Sequence, residues 1–398
     1  MISEEMLALG RRRSVIREIF EYGNRRRAEI GAENVFDFSL GNPSVPTPPS
    51  VTETLNRLLS ETDPAVLHGY TSAPGDPTVR AAIAKDVQSR FGFDADPALI
   101  YMTAAAASLT VTLNALVCDG DEVIALAPFF PEYRVFAEHA GAAFRTVNCR
   151  AGDFQLDEAA LFAAITPATK AVIVNSPNNP TGAVLTEDSI CALARVLDEK
   201  AAAFGHPIYL VSDEPYRELV YGGVTVPYIP RYYRDTIVCY SFSKSLSLPG
   251  ERIGYILISP LAADAKSVFE AVCGAGRALG FVCAPSLFQH LVKQVLGQTA
   301  DISVYEHNRN LLYNALTDMG FEVVKPDGAF YLFMRAPVAD AGAFCERAKK
   351  EELLLVPSDD FGYPGYVRIS YCVSTALIER SLPAFRRLAE AYFEIKGD

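Results

Sequence analysis

The segment SFSKSLSLPGERIGY, residues 241–255, brings a lysine and an arginine close together among short hydroxyl side chains. Lys244 directly follows the apolar run DTIVCYS, and Arg252 comes eight residues later. Two neighbouring cations repel each other, so this arrangement predicts a bound anion. Burial and a nearby cation both lower the pKa of a lysine, and a neutral amine is what Schiff-base chemistry requires. No G-x-x-x-x-G precedes SKS, which disfavours a lysine that binds nucleotide phosphates.

Two other apolar runs also end in residues suited to chemistry. Asp213 closes IYLVSD, and Tyr216 follows three residues later; Asn179 lies in the proline-rich NSPNNPTG. We interpret Asp213 as a buried carboxylate facing a cationic ring nitrogen; the alternative is an N-cap of a helix that begins in EPYREL. Tyr216 and Asn179 are candidate hydrogen-bond donors on the same side, although Asn179 is equally explained as a turn residue.

Alternating helical and strand patterns from Val51 to Ser259 predict an α/β fold. Its strand runs are almost continuously apolar, which is typical of a mostly parallel sheet covered by helices on both faces. APFFPEY, NSPNNPTG, SDEPY and SFSKS each follow such a run, and ligands bind at the carboxyl edge of open parallel sheets. We therefore expect these four segments to converge on one crevice.

A change of pattern after Ser303 predicts a second, smaller α+β domain. GFEVVKPDGAFYLFMRA indicates two strands around a Pro-Asp-Gly turn, and YVRISYC indicates another strand before a closing helix. We expect a large domain over residues 46–302, and a small domain formed by residues 1–45 together with 303–398.

The composition and charge of the chain disfavour several classes of binding partner. The chain has 398 residues, a net charge of −12 and a pI near 5.0, which disfavours nucleic acid or an anionic membrane as a partner. No apolar run has the length of a membrane span, and the N-terminal residues lack the apolar region of a signal peptide. Eight scattered cysteines are typical of reduced thiols, so we expect a cytoplasmic protein. The five histidines show no metal-ligand spacing, and we predict no metal site.

SFSKSLSLPGERIGY, SDEPY and NNPTG, in this order and spacing, resemble the motifs of fold-type I pyridoxal-phosphate enzymes, specifically the class I/II aminotransferases. The resemblance extends from LGNPSVPTPP to YVRISYC. It implies a three-layer α/β/α large domain, pyridoxal 5'-phosphate as the cofactor, and transfer of an amino group between an L-amino acid and a 2-oxo acid. A carbon–sulfur β-lyase on the same fold is the alternative enzyme. A non-catalytic ligand-sensing module is a further alternative, which the intact Lys244–Asp213 pair disfavours.

The resemblance also implies roles around the cofactor ring. Lys244 corresponds to the lysine that binds the cofactor through a Schiff base and moves the proton. Asp213 corresponds to the partner of the pyridinium N–H, Tyr216 and Asn179 to donors to the ring 3-oxygen, and Phe130 to the aromatic residue that stacks on the ring.

The phosphate is expected to contact a second group of residues. The resemblance assigns this role to Ser241, Ser243 and Arg252, and to a tyrosine from the neighbouring subunit that corresponds to Tyr70. Tyr70 therefore predicts a homodimer. The chain has MTAAAASLT where the family usually has glycine, so we expect ordinary φ angles there. The backbone N–H groups of Ala105 and Ala106 are then available to donate to the phosphate.

Substrate binding is expected from residues near both ends of the chain. Arg368 corresponds to the arginine that binds the substrate α-carboxylate, and Gly41 and Asn179 are predicted to line the same part of the site. An arginine paired with a structural acid is the alternative for Arg368. Arg277 in GAGRALG lies near where dicarboxylate-specific members have an arginine from the partner subunit, which leads to the hypothesis that it favours aspartate or glutamate.

Overall fold

The computed structural model describes residues 2–11, 14–104 and 106–394. Its helices are α1 (Glu4–Arg11), α2 (Val15–Ile30), α3 (Pro49–Glu61), α4 (Pro64–Leu67), α5 (Pro77–Phe91), α6 (Ala107–Leu116), α7 (Glu132–His139), α8 (Glu158–Ala164), α9 (Glu187–Phe204), α10 (Phe242–Ser245), α11 (Ala265–Leu279), α12 (Ser286–Val295), α13 (Ser303–Asp318), α14 (Ala341–Lys349) and α15 (Thr375–Glu390). Its strands are β1 (Phe36–Asp37), β2 (Ile100–Thr103), β3 (Glu122–Ala127), β4 (Ala143–Asn148), β5 (Thr169–Asn175), β6 (Tyr209–Asp213), β7 (Thr236–Ser241), β8 (Gly254–Ile258), β9 (Val323–Val324), β10 (Tyr331–Arg335), β11 (Leu353–Leu354), β12 (Val356–Pro357) and β13 (Tyr366–Ser370).

The largest sheet has seven strands within the described residues, in the order β2-β8-β7-β6-β5-β3-β4. The strands from β3 to β7 run parallel to their neighbours, and β8 is antiparallel to both β7 and β2. The almost unbroken apolar runs are explained by burial on both faces, since every residue of β3, β7 and β8 is buried. The predicted mostly parallel α/β sheet is confirmed.

Helices cover both faces of this sheet and form three layers. Helices α6, α7 and α11 share one core with alternate strand residues such as Ile173 and Val211. On the opposite face, α8 and α9 pack on Val172 and Leu210, while α3, α5 and α12 pack on the other side chains of β2, β7 and β8. Because side chains alternate along a strand, each strand contributes to both cores.

A smaller sheet of four strands has the order β12-β13-β10-β9 and is antiparallel throughout. The Pro-Asp-Gly segment connects β9 to β10 as the sequence predicts, and α13, α14 and α15 cover this sheet with one hydrophobic core. Helix α2 packs nearby through Ile19, which shares a core with Leu354 and Val356.

Helix α6 ends at Leu116, because Val117 adopts an extended conformation and the following residues form a turn. No helix begins in EPYREL; residues 215–218 form turns, so Asp213 caps no helix. No helix of the described residues combines the length and apolar character needed to cross a bilayer.

Candidate active site

A cavity of about 280 Å³ lies at the carboxyl ends of the parallel strands. Residues that end or follow β3, β5, β6 and β7 line it, as the four sequence segments predict. The lining residues that argue for chemistry are Gly41, Ala106, Phe130, Asn175, Asn179, Asp213, Tyr216, Ser241, Ser243, Lys244, Arg252, Tyr331 and Arg368. The parallel arrangement thus brings cations, a carboxylate and hydroxyls from distant parts of the chain into one space.

Asp213 contributes a carboxylate from the last position of β6. Its pKa is raised to about 7, chiefly by burial and also by the negative charge of Glu214, while the hydrogen bond from Tyr133 acts in the opposite direction. The Tyr133 hydroxyl donates to Oδ2 at 2.5 Å, and Asn175 Nδ2 donates to the Asp213 carbonyl at 2.9 Å. This carboxylate accepts one side-chain hydrogen bond and can accept another from the N–H of a cationic ring. The positive charge of such a ring would favour the ionised form of Asp213.

Lys244 lies in the short helix α10, immediately after β7. Its Nζ donates to the Gly41 carbonyl at 2.7 Å. Its pKa is lowered to about 8, chiefly by burial and also by the charges of Arg252 and Arg368, while the nearby Cys372 acts in the opposite direction. A fraction of the amine is therefore neutral near physiological pH, as a nucleophile or proton acceptor requires.

Three of the predicted phosphate ligands, Ser241, Ser243 and Arg252, line the cavity. Ser241 Oγ caps α10 by accepting from the Ser243 N–H at 3.1 Å, and it donates to Ser243 Oγ at 2.8 Å. Arg252 adopts a left-handed φ of 53° and donates to the Pro249 carbonyl at 2.9 Å. Hydroxyls beside a guanidinium form a polar cradle that suits a phosphate dianion.

The amino end of α6 completes this cradle. Ala106 lines the cavity immediately before α6, and its φ of −62° is right-handed, as expected from a segment without glycine. Ala105, the other residue predicted to donate a backbone N–H, lies outside the described residues. The N–H groups of Ala107 and Leu109 already donate to the carbonyls of Ala104 and Ala106, so α6 acts on an anion in the cavity through the positive end of its dipole.

Arg368 is the most buried cation of the cavity, with 2% of its surface exposed. Nη1 donates to Asn179 Oδ1 at 3.1 Å and Nη2 donates to the Ser39 carbonyl, while Nε has no hydrogen-bond partner. Burial lowers its pKa, and no carboxylate of the described residues pairs with it. The alternative of a structural ion pair is therefore excluded for that part of the chain, and a buried cation with an unused donor fits an incoming carboxylate.

Two site residues have no motif in the sequence to reveal them. Tyr133 and Tyr331 are buried and contact the predicted residues Asp213 and Tyr216 through their hydroxyls. Tyr133 follows Phe130 by three residues, and the two rings meet edge-on with centroids 5.7 Å apart. That helical spacing was the available signal for Tyr133; Tyr331 follows the Pro-Asp-Gly turn in a run that indicates only a strand.

Two predicted residues do not line the cavity of this single chain. Tyr70 is 99% exposed on the loop between α4 and α5. Arg277 lies on the exposed surface of the last turn of α11. Both were predicted to act in a neighbouring subunit, so their roles stay predictions. Among the described residues, no group of three or more His, Cys, Asp or Glu side chains is arranged to hold a metal ion.

The cavity fits the group that the motifs imply. Pyridoxal phosphate carries an aldehyde, a basic ring nitrogen and a phosphate dianion. The cavity has a lysine of lowered pKa, a carboxylate of raised pKa, and a cradle of hydroxyls, guanidinium and a helix amino end. The unused Nε of Arg368 remains for a substrate anion. Each part of the cofactor therefore has a chemically matched partner.

Comparisons with known proteins give the same result over almost the whole chain. The model of the family described as aminotransferase class I and II matches residues 33–385. An aspartate aminotransferase from Geobacillus stearothermophilus is 30% identical over 391 residues, covering 92% of this chain and 94% of that protein. Aromatic-amino-acid aminotransferase 2 from Thermococcus litoralis is 29% identical, covering 94% of this chain and 95% of that protein. The crystal structure of an amino transferase from Eubacterium rectale is 50% identical with a TM-score of 0.97, covering 99% of this chain and 100% of that one. This chain therefore belongs to the class I and II aminotransferases, a pyridoxal-phosphate-dependent family of fold type I.

Proposed function

We propose that Lys244, Asp213 and Arg368 are the residues with which this aminotransferase moves an amino group between an L-amino acid and a 2-oxo acid. One observation carries the proposal: a lysine of lowered pKa, a carboxylate of raised pKa, and a buried arginine that pairs with no acid of the described residues line the same cavity. Lysine and carboxylate suit the cofactor, and the arginine suits the carboxylate that every amino acid and 2-oxo acid shares.

Each side chain has a distinct role in this proposal. When bound, the cofactor supplies a carbonyl carbon and a ring that accepts electrons from the substrate Cα. Asp213 stabilises the protonated ring nitrogen by accepting its hydrogen bond. Lys244 Nζ accepts the proton from the substrate Cα and returns it to the carbon that receives it, as general base and then general acid. Arg368 holds the α-carboxylate in the two-pronged geometry of its guanidinium, which orients the Cα–H bond.

The remaining lining residues position the cofactor. Ser241, Ser243, Arg252 and the amino end of α6 bind its phosphate, and Phe130 packs on the ring face and excludes water. Tyr216 and Asn179 donate to the ring 3-oxygen. Asn179 Oδ1 already accepts from Arg368, so its orientation links the cofactor site to the substrate site.

Transamination and β-elimination are distinguished by the need for an oxo acid. The relatives compared above are named aminotransferases, which favours transamination over the carbon–sulfur lyase alternative. Purified holoenzyme is expected to form a new amino acid only when both an amino donor and a 2-oxo acid are supplied, over many turnovers. Release of pyruvate and ammonia from cystathionine without an oxo acid would support the lyase, and binding without turnover would support the sensing module.

We propose a homodimer in which Tyr70 contributes to the partner's phosphate site. Tyr70 is almost fully exposed, and its loop contacts the segment after α11, where Phe281 and Val282 are also exposed. Mixing a Lys244→Ala chain with a Tyr70→Ala chain tests this proposal. If the site is shared, a hybrid dimer contains one site with both native residues, so mixing restores activity that neither variant has alone. No gain on mixing would refute the shared site.

The preference for dicarboxylic substrates depends on a further cation near the site. The cavity's own guanidinium groups, within the described residues, are Arg252 and Arg368, and both have assigned roles. A second substrate carboxylate would then require an arginine such as Arg277 from the partner subunit. Arg277→Ala is expected to lower kcat/KM for aspartate at least about tenfold more than for phenylalanine, whereas Arg380→Ala on α15 changes neither. An equal effect on both substrates would refute the hypothesis.

We also propose the predicted domain division and a cytoplasmic location. The strands of the seven-stranded sheet lie within residues 100–258 and those of the four-stranded sheet within 323–370, which supports domains of residues 46–302 and of 1–45 with 303–398. All eight cysteines are free thiols, which supports a reducing compartment. Limited proteolysis is expected to cut first near residues 45 and 302, and cell fractionation tests the location.

A further inference from the structure

Tyr331 enters the active site from a different sheet than the residues of the motifs. It is the first residue of β10 in the four-stranded sheet, it is 2% exposed, and it lines the cavity. Asp213 and Tyr216 come from the end of β6 in the seven-stranded sheet. Tyr331 is therefore placed where the two parts of the fold meet.

The Tyr331 hydroxyl contacts two groups on the cofactor side of the cavity. Its Oη lies 3.0 Å from Tyr216 Oη, within hydrogen-bond distance. It also packs on Gly41: a Cβ added to Gly41 would lie 1.9 Å from this oxygen. Gly41 in turn accepts the hydrogen bond from Lys244 Nζ. The Tyr331 hydroxyl therefore contacts both Tyr216, the proposed donor to the ring 3-oxygen, and Gly41, whose carbonyl accepts from Lys244.

The ring of Tyr331 packs against Arg368, the residue proposed to bind the substrate carboxylate. The Arg368 guanidinium carbon lies 4.7 Å from the ring centroid. Arg368 has no carboxylate partner among the described residues, so the negative face of the ring partly compensates its charge.

The protons of the two tyrosines can be counted. Burial raises the pKa of Tyr331 to about 12 and that of Tyr216 well above its ordinary value, so both are phenols at neutral pH. Each phenol carries one proton, and the hydrogen bond between them uses one. The other remains for the cavity. A nearby cation makes a phenol a better donor, and Arg368 lies over Tyr331, which favours donation from Tyr331 to Tyr216.

The position of Tyr331 is set by the scaffold around the preceding residues. The carbonyl of Ala329 accepts hydrogen bonds from the Tyr221 and Tyr371 hydroxyls, and Ala329 has a left-handed φ of 55°. Phe330 meets the Tyr216 ring edge-on at 5.4 Å. The hydrogen bonds to Ala329 thus hold the backbone before Tyr331 without the help of Tyr216, so that Tyr331 can orient Tyr216.

We propose that Tyr331 is a positioning residue for both halves of the site: its hydroxyl directs the Tyr216 proton toward the ring 3-oxygen, and its ring orients Arg368 toward the substrate carboxylate. This inference rests on the proposed function, because it takes the roles of Tyr216 and Arg368 from it. It predicts separable effects of removing the hydroxyl and of removing the ring.

The test uses the visible absorption of the holoenzyme as a function of pH. A hydrogen bond donated to the ionised ring oxygen stabilises that charged oxygen and lowers the pH midpoint of the absorption change. If Tyr331 directs this hydrogen bond, Tyr331→Phe is expected to raise the midpoint by about 0.5–1 unit. The KM for the amino acid should change less than about twofold in Tyr331→Phe, and rise about fivefold or more in Tyr331→Leu, which also lacks the ring. Tyr233→Phe, which removes a buried hydroxyl that donates to the Ile208 carbonyl away from the cavity, is the matched control and should leave the midpoint unchanged.

A double-mutant cycle shows whether Tyr331 acts through Tyr216. In a Tyr216→Phe background, Tyr331→Phe should shift the midpoint by less than about 0.2 unit. A wild-type midpoint in Tyr331→Phe, or full additivity in the cycle, would overturn the inference. If Tyr331→Phe does not fold, 3-fluorotyrosine at position 331 keeps the shape and strengthens the donor; it must lower the midpoint, and an unchanged midpoint overturns the inference. A wild-type protein without cofactor absorption or transamination would instead refute the proposed function.

Discussion

Tyr133 donates a hydrogen bond to the carboxylate of Asp213 at 2.5 Å, although the two residues are 80 positions apart in the chain. Tyr133 belongs to the helix that follows β3, and Asp213 ends β6, with β5 between these strands in the sheet. Tyr133 is buried and Asp213 is half-buried where it lines the cavity, so the protein partly shields the hydrogen bond from water. It partly offsets the effect of burial on the pKa of Asp213 and fixes the orientation of the carboxylate.

Removing this donor should weaken cofactor binding. Tyr133→Phe retains the ring but loses the hydroxyl, so the ionised carboxylate loses one charge-assisted hydrogen bond and the pKa of Asp213 rises. We expect the dissociation constant of the cofactor to increase about tenfold or more. Titration of cofactor-free protein, followed by visible absorption, measures it. Tyr233→Phe is the control, since that buried hydroxyl donates to the Ile208 carbonyl instead; equal losses in both variants would contradict a specific role for Tyr133.

Arg368 should not tolerate replacement by lysine. Lysine retains the charge but lacks the planar pair of N–H donors, so Arg368→Lys is expected to lower kcat/KM for amino acid and oxo acid substrates at least about tenfold. Steady-state kinetics with both substrates provide the measurement. Arg335 is the last residue of β10 and pairs with Glu322 at the surface, so Arg335→Lys should retain wild-type kinetics. Wild-type KM values in Arg368→Lys would exclude carboxylate binding at this position.

The lowered pKa of Lys244 predicts a pH dependence of stability in cofactor-free protein. Its pKa is about 8 in the folded protein and 10.5 without the fold, so between these values the unfolded chain binds more protons and stability rises with pH. Below pH 8 the folded protein carries the full cost of the buried charge. Lys244→Met removes that cost and should be more stable than wild type at pH 7, with a difference that decreases toward pH 10. Denaturant unfolding across this range measures the difference; one that does not vary with pH would contradict the lowered pKa.

Gly41 should be intolerant of any side chain while Tyr331 is present. The Cβ of Gly41→Ala overlaps the Tyr331 oxygen, so we expect a large loss of kcat/KM and a lower melting temperature. Tyr331→Phe in the same chain removes the overlapping atom and should restore part of the melting temperature. Gly274→Ala is the control: it lies within α11 with open space around it, and should raise stability by up to about 1 kcal/mol. An absence of rescue would show that the overlap is not with the hydroxyl.

Much of the site was predictable from local pattern. The apolar runs predict buried parallel strands, and the segments after them predict a shared crevice because parallel strands end at one edge. Lys244, Asp213 and Asn179 line the cavity for this reason; Arg252 precedes β8, whose antiparallel direction brings its first residues to the same edge. The alanines before α6 also gave a correct expectation at Ala106, since an L-residue disfavours a left-handed φ.

Contacts between distant segments had no such signal. Tyr216 and Tyr331 are 115 residues apart and Lys244 and Gly41 are 203 apart, and each pair meets only when distant segments of the chain pack together. The absence of an acid beside Arg368 was equally undetermined, because any of the chain's 48 Asp and Glu residues was a possible partner before folding. The sequence by itself determined which elements form and which residues end at the sheet edge, because periodicity and backbone preference act over a few residues. Only the tertiary structure decided which hydroxyl faces which carboxylate and which cation stays unpaired, because those depend on how separate elements pack.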